Sequence, residues 1–464
     1  MFSAGEMKGD ILINNVNIVD VEKGTIVSNQ DVGITGNRIS YIGNHNRRSL
    51  AAKERIDGSG KFLMPGLWDM HVHTFIEDWY TWQFPLFLAN GIIGFRDMWG
   101  NSKLADSVRA EMRKGNLPSF HFTLSGHILD GKKPFWPGSF SAPDVHTAIT
   151  LVDSLAEAGT DFLKIYSSIS ADVFEAIAKR CKQKNLPFAG HVPVRVWLTK
   201  ASDAGMASME HLYGFHIEAC AFPDSAMQLK IRDVENYEAG KDAKQRQALA
   251  RVGEKFVLEN FSEERMRNIA RILRKNNTYV VPTMVTLRGG YFTNDPVFTN
   301  DERLKYMSKG TRDYWQQQQE NDFKRFSEED WQNKRTRYAI EKQMIKILWQ
   351  EKVPILTGTD SDNPFAFPAF SLHDELALFV EFGMTPVEAL RTATINPVKY
   401  LKMTDSLGSV ATGKRADIVL LNGNPLTDIS QTKNIHAVIL NGKLYSFGEL
   451  QKLKDQVIKM NSSK

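Results

Sequence analysis

Cysteine is nearly absent: Cys181 and Cys220 are the only two in 464 residues, far apart and outside any C-x-x-C spacing. That excludes a disulfide scaffold and a cysteine-based zinc site, and leaves two buried reduced thiols as the expectation. Long apolar runs are missing too. No stretch approaches the ~20 residues of a membrane span, and the start, MFSAGEMKGD, has neither the basic beginning nor the apolar run of a secretory signal. The expected location is the cytoplasm for the chain as given, or the periplasm or exterior if a signal peptide has been removed. Charge of one sign is not in excess: 58 basic residues stand against 54 acidic ones, a net +4. No basic block is long enough to follow a phosphate backbone, so neither nucleic acid nor a membrane is an expected partner. What is present is ordinary for a globular chain, 42% hydrophobic and 24% charged residues. One large domain plus a small one is the natural division at this length.

From Asp10 the sequence reads DILINNVNIVDVEKGTIVSNQDVGITGNRISYIG, short β-branched runs broken by Asn, Gly and Asp, with Gly36-Asn37 where a hairpin turn belongs. The same texture returns near the other end in GKRADIVLLNGNPL and NIHAVILNGKLYSFG. A few strands at each end are marginal alone, so residues 8–64 and 402–448 are expected to build one composite β-sandwich, with 449–464 a helical tail.

Between them, over 65–401, strand and helix alternate. GLWDMHVH, IIGFRDM, SFHFTLSGHI, DFLKIY, PFAGH, ASMEHL, TYVVPT and VPILTGTD give eight strand candidates, each trailed by helix. Eight right-handed βα crossovers close into a (β/α)8 TIM-like barrel, whose reactive groups gather at the carboxyl ends of the strands. A doubly wound open sheet is the competing α/β fold. One unit is oversized: about 214–352 is charged and helical around a single strand. A solvated helical wall is the plain expectation, and a lid hinged near Gly289-Gly290 the functional one.

A lone H-x-H means little, but His71 and His73 share one strand face and close the first strand candidate. Later strand ends carry Lys164, His191, His211 and Asp360. Imidazole and carboxylate are good ligands for zinc and related ions. Lys164 is the misfit, since burial disfavours its ammonium form. As a neutral amine it can add carbon dioxide and become a carbamate, an anion with two oxygens able to bridge two metals. The neighbours Arg96 and Asp97 are read as an ion pair bracing the second strand, and WYTWQFPLF as core packing.

The set His71-x-His73, Lys164, His191, His211 and Asp360, with MPGLWDMHVH before it and GTDS at its end, resembles the amidohydrolase superfamily. The likeness extends to DILINNVNIVD, RTATINPVKYLKM and GSVATGKRADIVLLNGNPL, so it covers nearly the whole chain. Within the superfamily it is similar to the imidazolonepropionase-like branch, particularly prolidase-like members with a carboxylated lysine. Imidazolonepropionase proper lacks the bridging lysine, and the H-x-x-E pattern of adenosine-deaminase-type members is not reproduced by HLYGF at His211.

The resemblance implies that His71, His73 and Asp360 hold one divalent ion, His191 and His211 a second, and carbamylated Lys164 both. Zinc comes first, with manganese, cobalt and iron also suited to such ligands, and bicarbonate or carbon dioxide supplies the carbamate. Hydroxide between the ions would attack an amide carbonyl, with Asp360 moving the proton to the leaving amine and His127 polarising the oxyanion. Tyr166 and Arg195 are the expected substrate contacts, Arg195 or Arg288 for a free carboxylate. The expected activity is that of a prolidase-like dipeptidase or N-acyl amino acid amidohydrolase on a small-molecule substrate. Phosphotriester or lactone hydrolysis is the alternative on similar ligands, and a barrel kept as a non-catalytic binding module is a third reading. Superfamily members are often homo-oligomers, but no surface in this sequence betrays an interface.

Overall fold

A computed structural model describes residues 7–45, 50–293 and 295–462. At the amino end lie β1 (Met7–Asp20), β2 (Thr25–Thr35), β3 (Arg38–Asn44), β4 (Leu50–Asp57) and β5 (Phe62–Pro65). The middle of the chain supplies β6 (Leu67–Val72), β7 (Ile92–Asp97), β8 (His121–Leu124), β9 (Leu129–Asp130), β10 (Phe140–Ser141), β11 (Leu163–Ile165), β12 (Phe188–Gly190), β13 (Ser208–Glu210) and β14 (Tyr279–Val281). Then come β15 (Ile418–Leu421), β16 (Ile435–Leu440) and β17 (Lys443–Ser446).

The two ends do combine. β5 pairs in parallel with β1 and antiparallel with β15, so one eight-stranded sheet runs from β17 through β15, β5 and β1 to β3, with β4 beside β1. Its inward residues, among them Ile13, Val32, Leu63, Ile418, Leu420 and Ile439, form a core separate from the main one. Alternation along each strand explains this: every second side chain faces inward. The Phe447–Ser462 helix packs on the Tyr80–Ala89 helix; positions 463 and 464 of the expected tail lie outside the described residues.

Seven of the eight expected central strands are present and parallel: β6-β7-β8 form one sheet, and β11, β12, β13 and β14 belong to another, which β9 and β10 extend. The eighth, in VPILTGTD, is not a regular strand. Pro354 has no N–H to give a ladder, so residues 354–360 stitch the sheets with single bonds. Leu356 N–H donates to Val280 O, Met70 N–H to Thr357 O and Asp360 N–H to His71 O, at 3.0, 2.8 and 2.7 Å. Gly358 permits the approach, because a Cβ there would lie 2.8 Å from His71 Cβ.

The oversized unit is helical as expected, including Pro223–Glu238, Ala243–Glu259, Glu263–Asn276 and Glu328–Gln350. The expected hinge position falls within a helix. Gly289 and Gly290 sit inside the Met284–Tyr291 helix, and a Cβ at Gly289 would meet Pro364 O at 2.4 Å. The glycine allows close packing at that position. The aromatic stripe is core, with Trp82, Phe84 and Phe87 buried on the Tyr80–Ala89 helix.

Candidate metal centre

β6, β11, β12 and β13 end close together, and residues 354–360 run beside β6. His71, Lys164, His191, His211 and Asp360 are each less than 9% exposed. His73 Nε2 lies 2.9 Å from Asp360 Oδ1, and His71 Nε2 lies 3.4 Å from the same oxygen. Lys164 Nζ is 3.5 Å from His71 Nε2. The rings of His71 and His211 are 4.6 Å apart, and those of His191 and His211 5.0 Å. Among the described residues, His71, His211 and Asp360 can offer ligand atoms all within 4.8 Å of one another.

Three imidazoles are oriented by groups the sequence reading did not single out. Glu210 Oε2 lies 2.8 Å from His71 Nδ1, Ser167 Oγ 2.9 Å from His191 Nδ1, and Thr283 Oγ1 2.7 Å from His211 Nδ1. Each engages Nδ1, and at His71 this leaves Nε2 facing Lys164 and Asp360, the usual way a ligand ring is aimed. Glu210 is in turn held by Arg96, whose Nη2 donates to Oε1 at 2.8 Å. This corrects the Arg96–Asp97 pair: neighbours on a strand face opposite ways, so Arg96 reaches Glu210 while Asp97 accepts the N–H groups of Thr74, Phe75 and Trp99. A carboxylate inside the strand candidate ASMEHL, next to His211, was the available signal for Glu210. The φ of +59° at His211 and +52° at Asp360 left none.

The electrostatics favour ligands. Burial holds His71 and His191 well below the ordinary imidazole range and brings His211 down to about 4, so all three are neutral donors at pH 7. Burial alone would raise Asp360, but His211, His73 and Lys164 hold it below the usual carboxylate range. Lys164 falls to about 8, brought down by burial against the pull of Asp360 and Glu210. His73 Nδ1 is buried with no partner. Neutral imidazoles, a carboxylate and an orphaned ring nitrogen make a donor set that fits divalent cations.

The remaining expected residues lie around this cluster. Tyr166 stacks on His191 at 3.9 Å, and its hydroxyl accepts the Trp136 indole N–H at 2.7 Å. His127 Nδ1 lies 3.0 Å from Gly138 O, and its ring stacks on Phe140. Arg195 is already engaged, both outer nitrogens donating to Glu238 at 3.4 and 3.1 Å. Arg288 lies 5.9 Å from the Phe298 ring centroid.

Residues 62–445 match the model of the amidohydrolase family. The chain belongs to the amidohydrolase family. With it come hydrolase chemistry and a TIM-like α/β architecture. The amidohydrolase is similar in fold to bottromycin amidohydrolase, with TM-score 0.74 at 20% identity over 97% of this chain and 90% of that one. It is likewise similar to a Xaa-Pro dipeptidase with methionine bound in the active site, with TM-score 0.66 at 20% identity over 94% and 99%. In sequence it is 39% identical to the imidazolonepropionase of Deinococcus radiodurans over 85 residues, 18% of this chain. It is 33% identical to an adenine deaminase of Mesorhizobium japonicum over 71 residues, 15% of this chain. These matches span only 21% and 12% of the two relatives. Among the described residues no helix is long and apolar enough to cross a membrane.

Proposed function

We propose that this amidohydrolase cleaves a carbon–nitrogen amide bond, in a dipeptide or an N-acyl amino acid, at two divalent cations. His71, His73 and Asp360 would hold one, His191 and His211 the other, and a carbamate on Lys164 both. The two parallel sheets are read as one (β/α)8 barrel over 65–401, and the sheet built from 8–64 and 402–448 as its composite sandwich. One observation carries the reading: a buried lysine, held near pH 8, lies 3.5 Å from an imidazole in a ring of ligands. A neutral amine is the form that adds carbon dioxide, releasing one proton and becoming the anion that such a ring needs.

Cations bound there supply Lewis acidity and bring the ionisation of water into the neutral range. The protein's own work is orientation and proton transfer. Asp360 Oδ2, 3.8 Å from the His211 ring, is the less engaged oxygen; it takes the proton of the attacking water and returns it to the leaving nitrogen. That return matters because an amide nitrogen leaves poorly as an anion. Tyr166 keeps its own O–H free to donate to substrate, since its oxygen accepts from Trp136. His127 donates Nδ1–H to the Gly138 carbonyl, so its Nε2 would donate to the substrate carbonyl oxygen as the imidazolium.

The test is reconstitution with zinc, manganese or cobalt plus bicarbonate, with dipeptides, N-acyl amino acids, lactones and phosphotriesters assayed in parallel. Amide hydrolysis lost on chelation and restored by metal is expected. Turnover of lactones or phosphotriesters without any amide would overturn the reading.

A further inference from the structure

The helical wall encloses a cavity of about 440 Å³ that opens on the metal centre, since Tyr166, His191 and Tyr213 belong to its lining. Away from them it runs between the Pro223–Glu238 and Ala243–Glu259 helices, past Met227, Leu249 and Val257. Such side chains cover an apolar arm without orienting it. Orientation needs a polar group, and the charges on this wall are unevenly satisfied. Glu218 accepts the N–H and O–H of Thr199. Asp233 pairs with Lys230 at 2.9 Å, and Glu254 faces Arg337 at 3.7 Å. Arg337 also donates to Glu341 at 3.1 Å.

Arg246 differs from all of these. It lines the cavity, its guanidinium carbon stands 5.2 Å from the Tyr237 ring centroid, and its buried Nε has no hydrogen-bond partner. Among the described residues it enters no ion pair within 4.0 Å. Building on the amide-hydrolysis reading, we propose that this cavity binds the substrate arm distal to the scissile bond, apolar along its length and ending in a carboxylate that Arg246 receives. The planar fork of a guanidinium matches a carboxylate with two parallel bonds, and the aromatic face beneath it fixes the plane. Arg195 cannot take this part while Glu238 holds it. A carboxamide offers one acceptor oxygen and no charge where a carboxylate offers two oxygens and a charge, so the site discriminates at its far end as well as by apolar fit near the metal.

The experiment uses the metal-loaded full chain and matched amides with the same phenylalkyl arm, ended either in a carboxylate or in the corresponding carboxamide. Wild type is expected to favour the carboxylate by about tenfold or more in kcat/KM. Arg246→Met should erase that preference by raising KM for the carboxylate far more than for the carboxamide, and Arg246→Lys should recover part of it. Phenylbutyrate binding to the metal-free protein, followed by calorimetry, should weaken by a similar factor in Arg246→Met. Equal binding by the two proteins, or equal loss for both amides, overturns the proposal. No turnover of any amide, with the calorimetric difference intact, would defeat amide hydrolysis and leave the distal site standing.

Discussion

Lys164 is where burial and function meet. Its amine is held near pH 8 by desolvation, so it is protonated below that pH and free above it. At fixed dissolved carbon dioxide, the initial rate at which the metal-free protein takes up labelled carbon dioxide should rise through about pH 8 and then level off, because it follows the free-amine fraction. An ordinary lysine, with a pKa of about 10.4, would still be gaining at pH 10. Glu210 allows a second prediction. Glu210→Ala leaves Arg96 buried and unpaired and frees His71 Nδ1, which should cost about 3–5 kcal/mol in denaturant unfolding. The milder Glu210→Gln should weaken metal binding about 10–100-fold in a chelator competition. That six residues gather in one cluster was legible because parallel strands of this kind collect reactive groups at one end. Glu210, Ser167 and Thr283 were not, since a buried group that only aims another has no spacing signature. Arg195 misled because a sequence does not reveal that Glu238, 43 residues on, neutralises it.

At the scale of elements, the strands were legible wherever a short apolar run carried its own ladder. The eighth failed as a regular strand at Pro354, yet its single bonds and the Asp69 carboxylate, which accepts Thr359 N–H at 3.0 Å and its O–H at 2.7 Å, still hold it beside β6. The Met284–Tyr291 helix gives a paired prediction. Gly289→Ala drives a methyl into Pro364 O and should destabilise by about 1–3 kcal/mol. Gly290→Ala meets nothing within 4 Å and should be neutral or stabilising by up to about 1 kcal/mol, as helix propensity dictates. Equal effects in chemical denaturation would contradict this difference in packing. The helical excursion read as a charged wall is also the lining of a cavity, which no periodicity announces because the lining residues come from separate elements.

At the scale of the molecule, both chain ends meet in one sheet, with Leu63 of β5 between Ile18 of β1 and Leu420 of β15. Leu420→Ala should cost about 2–5 kcal/mol, and ending the chain after residue 417 should abolish cooperative unfolding followed by circular dichroism, because β5 keeps β1 but loses β15 and the strands beyond it. The sheet joins the two ends, while the proposed metal centre would depend on a carbamate at a single side chain, Lys164, within the larger core. Native mass spectrometry of protein loaded with zinc and bicarbonate, beside Lys164→Ala, tests that most directly. Wild type should carry two metal ions and the added mass of one carbon dioxide, with the variant losing the adduct, at least one ion and all turnover. Two ions on an unmodified lysine in fully active protein would contradict it.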